Sequence, residues 1–248
     1  HAASLVTERT KAIVPVHYGG VGCDMDAVSS LADKYGLYII EDAAQGLGGS
    51  YKGRHLGTIG DLGTISFHET KNIVCGEGGA LLVNRPDLVE RAEIIREKGT
   101  NRSQFIKGEV DKYSWHDIGS SYVMSDLLAA FLLGQLEAAE TITAERKSIW
   151  QAYDEGLKDS SLQGPMIPSE CGPSYHMFFG ILPHELERTA FIDQMKTAGV
   201  QVTPHYVPLH TSPVGRQLGG KPGQLPATED LAERLIRLPL YPGLTSAE

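Results

Sequence analysis

Apolar residues recur along the chain in two periods, and the periods alternate. Residues 11–16 (K-A-I-V-P-V) make a short apolar run with strand character, weakened by Pro15. After Asp24, a capping residue, Val28, Leu31, Ala32 and Tyr35 fall at i, i+3, i+4 and i+7 before Gly36, which predicts a helix with a stop. Residues 37–40 (L-Y-I-I) read as a buried strand ending in the charged pair Glu41 and Asp42. This is a β-α-β unit, and a parallel sheet offers its ligand site at the C-terminal ends of its strands. An acid at that end is a candidate for function.

Two more strands are predicted at 62–67 and 79–83. A helix follows from Pro86 to a stop at Gly99, with Leu88, Ala92 and Ile95 on one face. Residues 100–120 form a long polar connection, and loops of that length are uncommon unless functional. From Ser125 to about Leu157 the chain is rich in Ala, Leu and Glu and predicts one long helix, a spine joining two domains. A strand at 177–181, a helix from about Glu187 to Ala198 and a strand at 200–202 complete the pattern. The last four residues, T-S-A-E at 245–248, read as a capping box that opens a further helix. Residue 1 is not Met, so the chain is expected to be truncated at both ends.

At 248 residues the chain holds between one and two domains. Lys plus Arg number 22 and Asp plus Glu 31, a net charge of −9, which argues against a nucleic-acid partner. No apolar run approaches the roughly 20 residues that span a bilayer. No signal peptide is visible at the start. The three cysteines, at 23, 75 and 171, include no C-x-x-C and suit neither a disulfide framework nor a cysteine-rich zinc site. A cytoplasmic protein without membrane or metal is expected. Several motif matches fail on inspection. The stretch 215–221 resembles a P-loop, but Pro222 holds the required Ser/Thr position, and H-E-T-K-N at 68–72 misses a zinc-protease motif by its last residue. Neither G-x-G-x-x-G nor G-x-S-x-G occurs, and the sequon at 101–103 lacks a secretory context.

The surviving constellation is D-A-A-Q at 42–45, S-F-H-E-T-K-N at 66–72 and G-E-G-G at 76–79. Asp42 and Ser66 leave two strand ends, and Lys71 lies five residues beyond Ser66 in a loop followed by glycines. An amine, a carboxylate and a hydroxyl on one sheet edge suit a phosphorylated pyridine aldehyde. Lys71 can form a Schiff base if burial or charge lowers its pKa. Asp42 can keep the pyridine nitrogen protonated, and Ser66 can donate to the phosphate. Taken singly, a lysine is usually a solvated charge, and an Asp after a strand is usually a turn residue or a cap. The ordered set is far more specific than any member.

These residues resemble a known family. E-D-A-A-Q at 41–45, S-F-H-x-x-K-N at 66–72, G-E-G-G at 76–79 and H-Y-x-P-L-H at 205–210 are similar to the motifs of the DegT-type nucleotide-sugar aminotransferases, over residues 12–244. The resemblance implies an α/β, PLP-dependent transferase of fold type I, like aspartate aminotransferase, with a large, mostly parallel sheet domain and a smaller C-terminal α/β domain. Residues 1–135 would be the C-terminal part of the large PLP-binding domain, 136–160 the connecting helix, and 161–248 an incomplete small domain. It implies that Lys71 is the catalytic lysine, linked to pyridoxal 5'-phosphate and shuttling the proton. Asp42 would pair with the ring nitrogen, Gln45 would approach the ring hydroxyl, Ser66 would hold the phosphate, and His68 would lie close by. His210 and Tyr206 would bind the substrate. It also implies a homodimer with shared active sites. Ser121 stands where many relatives carry an Asn that reaches the neighbouring subunit's cofactor phosphate.

More narrowly, residues 98–105, 111–115 and 117–122 resemble the subgroup of dTDP-4-amino-4,6-dideoxygalactose transaminases of enterobacterial common antigen synthesis. That subgroup transfers the amino group of L-glutamate to dTDP-4-keto-6-deoxy-D-glucose. Three rivals stand beside it. One is a related aminotransferase with another nucleotide sugar or carbon position. A second is a sugar dehydratase on this fold, in which His replaces the lysine, against Lys71. The third is a catalytically silent protein on the same scaffold, which would have no chemical reason to keep Asp42, Ser66 and Lys71 together.

Overall fold

The computed structural model describes residues 1–184 and 186–245. Two compact units emerge: one is His1–Thr143 with Ser169–Ser174, the other Ala144–Pro168 with the residues from Tyr175 onward.

In the first unit a four-stranded sheet runs β1 (Ala12–Ile13), β2 (Tyr38–Asp42), β5 (Leu62–Ser66) and β6 (Gly79–Val83) in that spatial order. The β1–β2 and β2–β5 pairs are parallel and the β5–β6 pair is antiparallel, so the sheet is mixed. The strand expected at 11–16 shrinks to β1, because Pro15 has no N–H to give to a ladder. A single bridge from Val16 to Asp42 extends the pairing to the site edge. Helix α1 (Met25–Tyr35) joins β1 to β2. Asp24 Oδ1 caps it by accepting the Ala27 N–H at 3.1 Å, and Gly36 closes it in the left-handed conformation at φ 63°. Between β2 and β5 the short strands β3 (Ser50–Tyr51) and β4 (Arg54–His55) form a hairpin. The distant β7 (Cys171–Gly172) pairs with β3 from its other side.

Helix α2 (Pro86–Arg96) ends three residues before the expected glycine stop, and Gly99 returns its N–H to the Ile94 carbonyl at 2.9 Å. The connection at 100–120 contains a short helix, α3 (Arg102–Ile106), and antiparallel bridges Thr100–Trp115 and Glu97–Ser121. The long helix expected from 125 to 157 is two. Helix α4 (Asp126–Glu137) starts at the Ser125 cap and ends at Ala138, and α5 (Ala139–Gly156) carries the chain into the second unit. Composition has no marker for this break, since no proline or helix-stopping glycine stands there. Leu128, Leu132, Ala139 and Ile142 nonetheless all pack on the core of the first unit, around Met25, Ile39, Ile65, Phe67 and Ile73.

The second unit holds a three-stranded antiparallel sheet in the order β8 (Phe178–Ile181), β10 (Leu235–Leu238), β9 (Thr203–Pro204). Helix α6 (Arg188–Thr197) is capped by Glu187, and the short α7 (Pro213–Gln217) and α8 (Pro226–Arg234) precede the last strand. The strand expected at 200–202 forms instead at β9, while Val200 and Val202 pack against Leu182 and Ile236 in the core. Of the capping box at 245–248, only Thr245 falls among the described residues.

Candidate active site

β2 and β5 lie in parallel register with Asp42 opposite Thr64, so Asp42 and Ser66 end on the same edge of the sheet. Successive side chains on a strand face opposite sides. Glu41 therefore turns into the protein while Asp42 faces the other side, and the two halves of the charged pair separate in role. Asp42 is half-buried, and its Oδ1 accepts the Ala44 N–H at 3.1 Å. Its backbone is held on both sides: the His17 N–H donates to the Asp42 carbonyl at 3.0 Å, and the Asp42 N–H donates to Pro15 at 2.9 Å.

Gln45 sits in the turn after β2, and its Oε1 accepts the Gly19 N–H at 2.7 Å. Ser66 ends β5, and its hydroxyl oxygen accepts the His68 N–H at 3.3 Å. Beyond it the chain makes a closed loop. Phe67 N–H donates to Gly78 and Cys75 N–H to Phe67, each at 2.8 Å, Glu69 N–H donates to Gly76 at 2.9 Å, and Gly76 takes φ 86°. Lys71 stands on the outer turn of this loop, its N–H donating to the His68 carbonyl at 2.9 Å. The His68 Nδ1 accepts the Thr70 N–H at 3.2 Å, which places the ring proton on Nε2, 3.7 Å from the Glu77 carboxylate.

Lys71 is half-buried. Burial pushes its amine below the usual lysine range, and the negative charge of Asp42 works in the opposite direction. The two side chains are thus within electrostatic reach of each other at the sheet edge. Asp42, Gln45, Ser66, His68 and Lys71 all belong to the first unit. Tyr206 and His210 belong to the second. Tyr206 is exposed and lies against the His205 ring at 4.4 Å between centroids, and His210 Nε2 is hydrogen-bonded to Glu229 at 2.8 Å. Glu229 also accepts the Gly223 N–H at 2.8 Å, so the His210 ring is fixed in orientation by a loop as well as by an acid. Ser121 is exposed.

Sequence reasoning missed His17. Its side chain and that of Glu41 are both 0% exposed, and His17 Nε2 lies 2.8 Å from Glu41 Oε2. The Cys23 N–H donates to Nδ1 at 3.1 Å, so the ring proton sits on Nε2 and points at the carboxylate. Glu41 further accepts the Gly57, Ile59 and Gly60 N–H groups at 2.8, 2.6 and 2.6 Å. Burial opposes its charge, but His17 and these three amides outweigh that penalty and hold the carboxyl below the usual carboxylate range. The only local sign of this arrangement is the H-Y-G-G turn at 17–20, placed just after a strand.

A family model for the DegT/DnrJ/EryC1/StrS aminotransferase family matches residues 1–248. The uncharacterized protein MJ1066 of Methanocaldococcus jannaschii is 38% identical over 249 residues, covering 97% of this chain and 64% of that protein. The chain therefore spans less than two thirds of this curated relative. The crystal structure of the aminotransferase TlmJ from Streptoalloteichus hindustanus matches with a TM-score of 0.88 at 30% identity, over 100% of this chain and 65% of that one. The PLP form of Spr1654 from Streptococcus pneumoniae matches with a TM-score of 0.89 at 25% identity, over 99% of this chain and 67% of that one. The fold is α/β, that of the PLP-dependent transferases of fold type I. The chain belongs to the DegT/DnrJ/EryC1/StrS aminotransferase family.

Proposed function

We propose that the protein carrying this chain is a PLP-dependent nucleotide-sugar aminotransferase. It moves an amino group from L-glutamate to dTDP-4-keto-6-deoxy-D-glucose, giving dTDP-4-amino-4,6-dideoxy-D-galactose and 2-oxoglutarate. The observation that carries the reading is the placing of half-buried Lys71 on the closed loop that follows Ser66, at the sheet edge where Asp42 ends the neighbouring parallel strand. In this reading residues 1–135 belong to the large cofactor domain, 136–160 connect and 161–248 form the small domain, except that Ser169–Ser174 return to the first unit.

The polarity of the hydrogen bonds fits pyridoxal 5'-phosphate. Ser66 Oγ accepts from His68, which leaves the hydroxyl proton for a phosphate. Gln45 accepts on Oε1, which leaves its NH2 for the ring oxygen. Asp42 accepts on Oδ1, which leaves Oδ2 to hold the proton of the ring nitrogen. His68, with its proton on Nε2, flanks the same loop. When bound, the cofactor supplies an aldehyde that joins an amine and a ring that takes up the electrons freed by deprotonation. Lys71 Nζ removes the proton from the substrate carbon as general base and later returns it as general acid. Tyr206 and His210 recognise the sugar nucleotide.

The same reading includes a homodimer and a cytoplasmic location. Helix α4 is apolar on nearly all sides, a character that normally goes with burial on all sides. Leu127, Phe131, Leu133 and Leu136 are nevertheless exposed. The three free cysteines suit a reducing compartment. Sedimentation of the full-length protein is expected to give a dimer, and a Phe131→Glu, Leu133→Glu double variant a monomer; a dimer in both would move the interface elsewhere. The function is tested by reduction with borohydride in the presence of pyridoxal 5'-phosphate, followed by peptide mapping and product analysis. An adduct on Lys71 with amination at sugar carbon 4 is expected. An adduct with a different sugar product corrects the substrate, and no adduct in a folded protein removes the reading.

A further inference from the structure

Three segments distant in the chain meet at one buried serine. Ser174 is 0% exposed and belongs to the first unit, although it stands about a hundred residues beyond the lysine loop. Its N–H donates to the Gly20 carbonyl at 2.9 Å, and its hydroxyl donates to the Gln45 carbonyl at 2.6 Å. Its own carbonyl accepts the Asn72 Nδ2–H at 2.7 Å. Gly20 makes the approach possible. It takes φ 83°, and a Cβ there would stand 1.9 Å from Ser174 Oγ. Gln45 lies three residues past Asp42, and Asn72 is the residue after Lys71. Ser174 therefore ties together the two backbone segments that carry the opposed charges.

The backbone hydrogen bonds of the lysine loop run between residues 66 and 78 and give it its shape. Phe67, Ile73 and Cys75 seat it on the core that also holds Ala43, and the Asn72–Ser174 bond adds a directional polar tie to that apolar packing. A lysine has a flexible four-carbon stem, so where its amine sits depends on how firmly its Cα is held. A misplacement of about 1 Å in a reacting group costs roughly a hundredfold in rate.

We infer that Ser174 and Asn72 form a clamp that sets the Lys71 amine against Asp42. Ser174 is then a positioning residue for the cofactor-linking lysine that touches neither the lysine nor any reacting atom. This inference rests on the function proposed above. The cofactor reading gives the clamp its purpose, and the clamp gives a reason for a polar residue in a dry interior, where an unbonded hydroxyl would be costly.

The test uses the full-length protein and the variants Asn72→Ala and Ser174→Ala. Their thermal unfolding is measured first, and then two independent quantities. One is the dissociation constant for pyridoxal 5'-phosphate, expected to rise by about tenfold or more in each variant. The other is the pH midpoint at which Lys71 is acylated by acetic anhydride in the cofactor-free protein, followed by peptide mapping. Release of the loop admits water to the amine, so this midpoint is expected to move up toward that of an ordinary lysine, a change that loss of stability alone would not produce. Wild-type affinity together with an unmoved Lys71 midpoint would overturn the clamp. Should Ser174→Ala fail to fold, Asn72→Ala decides the matter alone, because Asn72 is only half-buried. If the wild-type protein forms no Lys71 adduct, the cofactor reading falls, and the acylation midpoint still judges the clamp.

Discussion

Replacing Lys71 with Ala is expected to leave a folded protein that forms no lysine-linked adduct and loses both half-reactions by roughly a thousandfold or more. The lysine is half-buried on a loop closed by its own backbone, so truncating its side chain removes chemistry and little packing. Lys71→Arg separates charge from chemistry. The guanidinium keeps the positive charge beside Asp42 but offers no free amine at neutral pH. Single-turnover measurements with L-glutamate alone, and then with the keto-sugar, read the two halves separately. Activity within tenfold of wild type in either variant would remove Lys71 from the mechanism.

The largest effect on stability is expected at Glu41. In Glu41→Gln the carboxamide keeps the shape, but one of its two ends becomes an NH2. Oε2 faces His17 Nε2 and the Gly57 N–H, and Oε1 faces the Ile59 and Gly60 N–H groups. Whichever way the amide turns, a donor confronts two donors in a site closed to water. Setting buried donors against one another in this way costs about 1–3 kcal/mol, read as a lower urea midpoint with an unchanged slope. A pH dependence accompanies it. The Glu41 carboxyl has a lower pKa in the folded protein than in the unfolded chain, so its stabilisation is present above the ordinary carboxylate range. It fades as pH falls through that range to the depressed folded value. Glu41→Gln should lack this component of acid sensitivity, so its stability should fall less between neutral pH and pH values below the carboxylate range. Parallel acid profiles for the two proteins would refute the assignment.

Local pattern made much of the fold legible. The Asp24 cap and the Gly36 stop reproduce the bounds of α1 residue for residue, since each is settled within one or two helical turns, while Tyr35 of the expected apolar face is exposed. The strand at 79–83 is also observed as read, but its direction is antiparallel to β5, and no alternation of apolar residues encodes direction. The break at Ala138 is a tertiary outcome, whereas the shortening of the 11–16 strand follows from Pro15. The candidate site could be proposed where its residues lie close in sequence, as in 42–45 and 66–72. It could not be proposed where the partner comes from far away. Nothing near Ser174 announces that its hydroxyl will meet Gln45, 129 residues earlier, and the H-Y-G-G turn at His17 does not say which carboxylate, 24 residues on, the ring will meet. Glu41 and Asp42 looked alike as a charged pair, and only the alternation of the strand divides them into an interior acceptor of backbone amides and a half-buried carboxylate at the sheet edge.

The return of residues 169–174 to the first unit has a consequence for biosynthesis. Strand β7 pairs with β3, and Ser174 receives Asn72 and reaches Gln45 only once that late segment has emerged. A nascent chain halted near residue 143 holds the whole four-stranded sheet, but β3 keeps an open edge and the Gln45 carbonyl lacks its donor. Such edges invite pairing with other chains. The lysine loop therefore matures late in translation, after most of its own domain has been made.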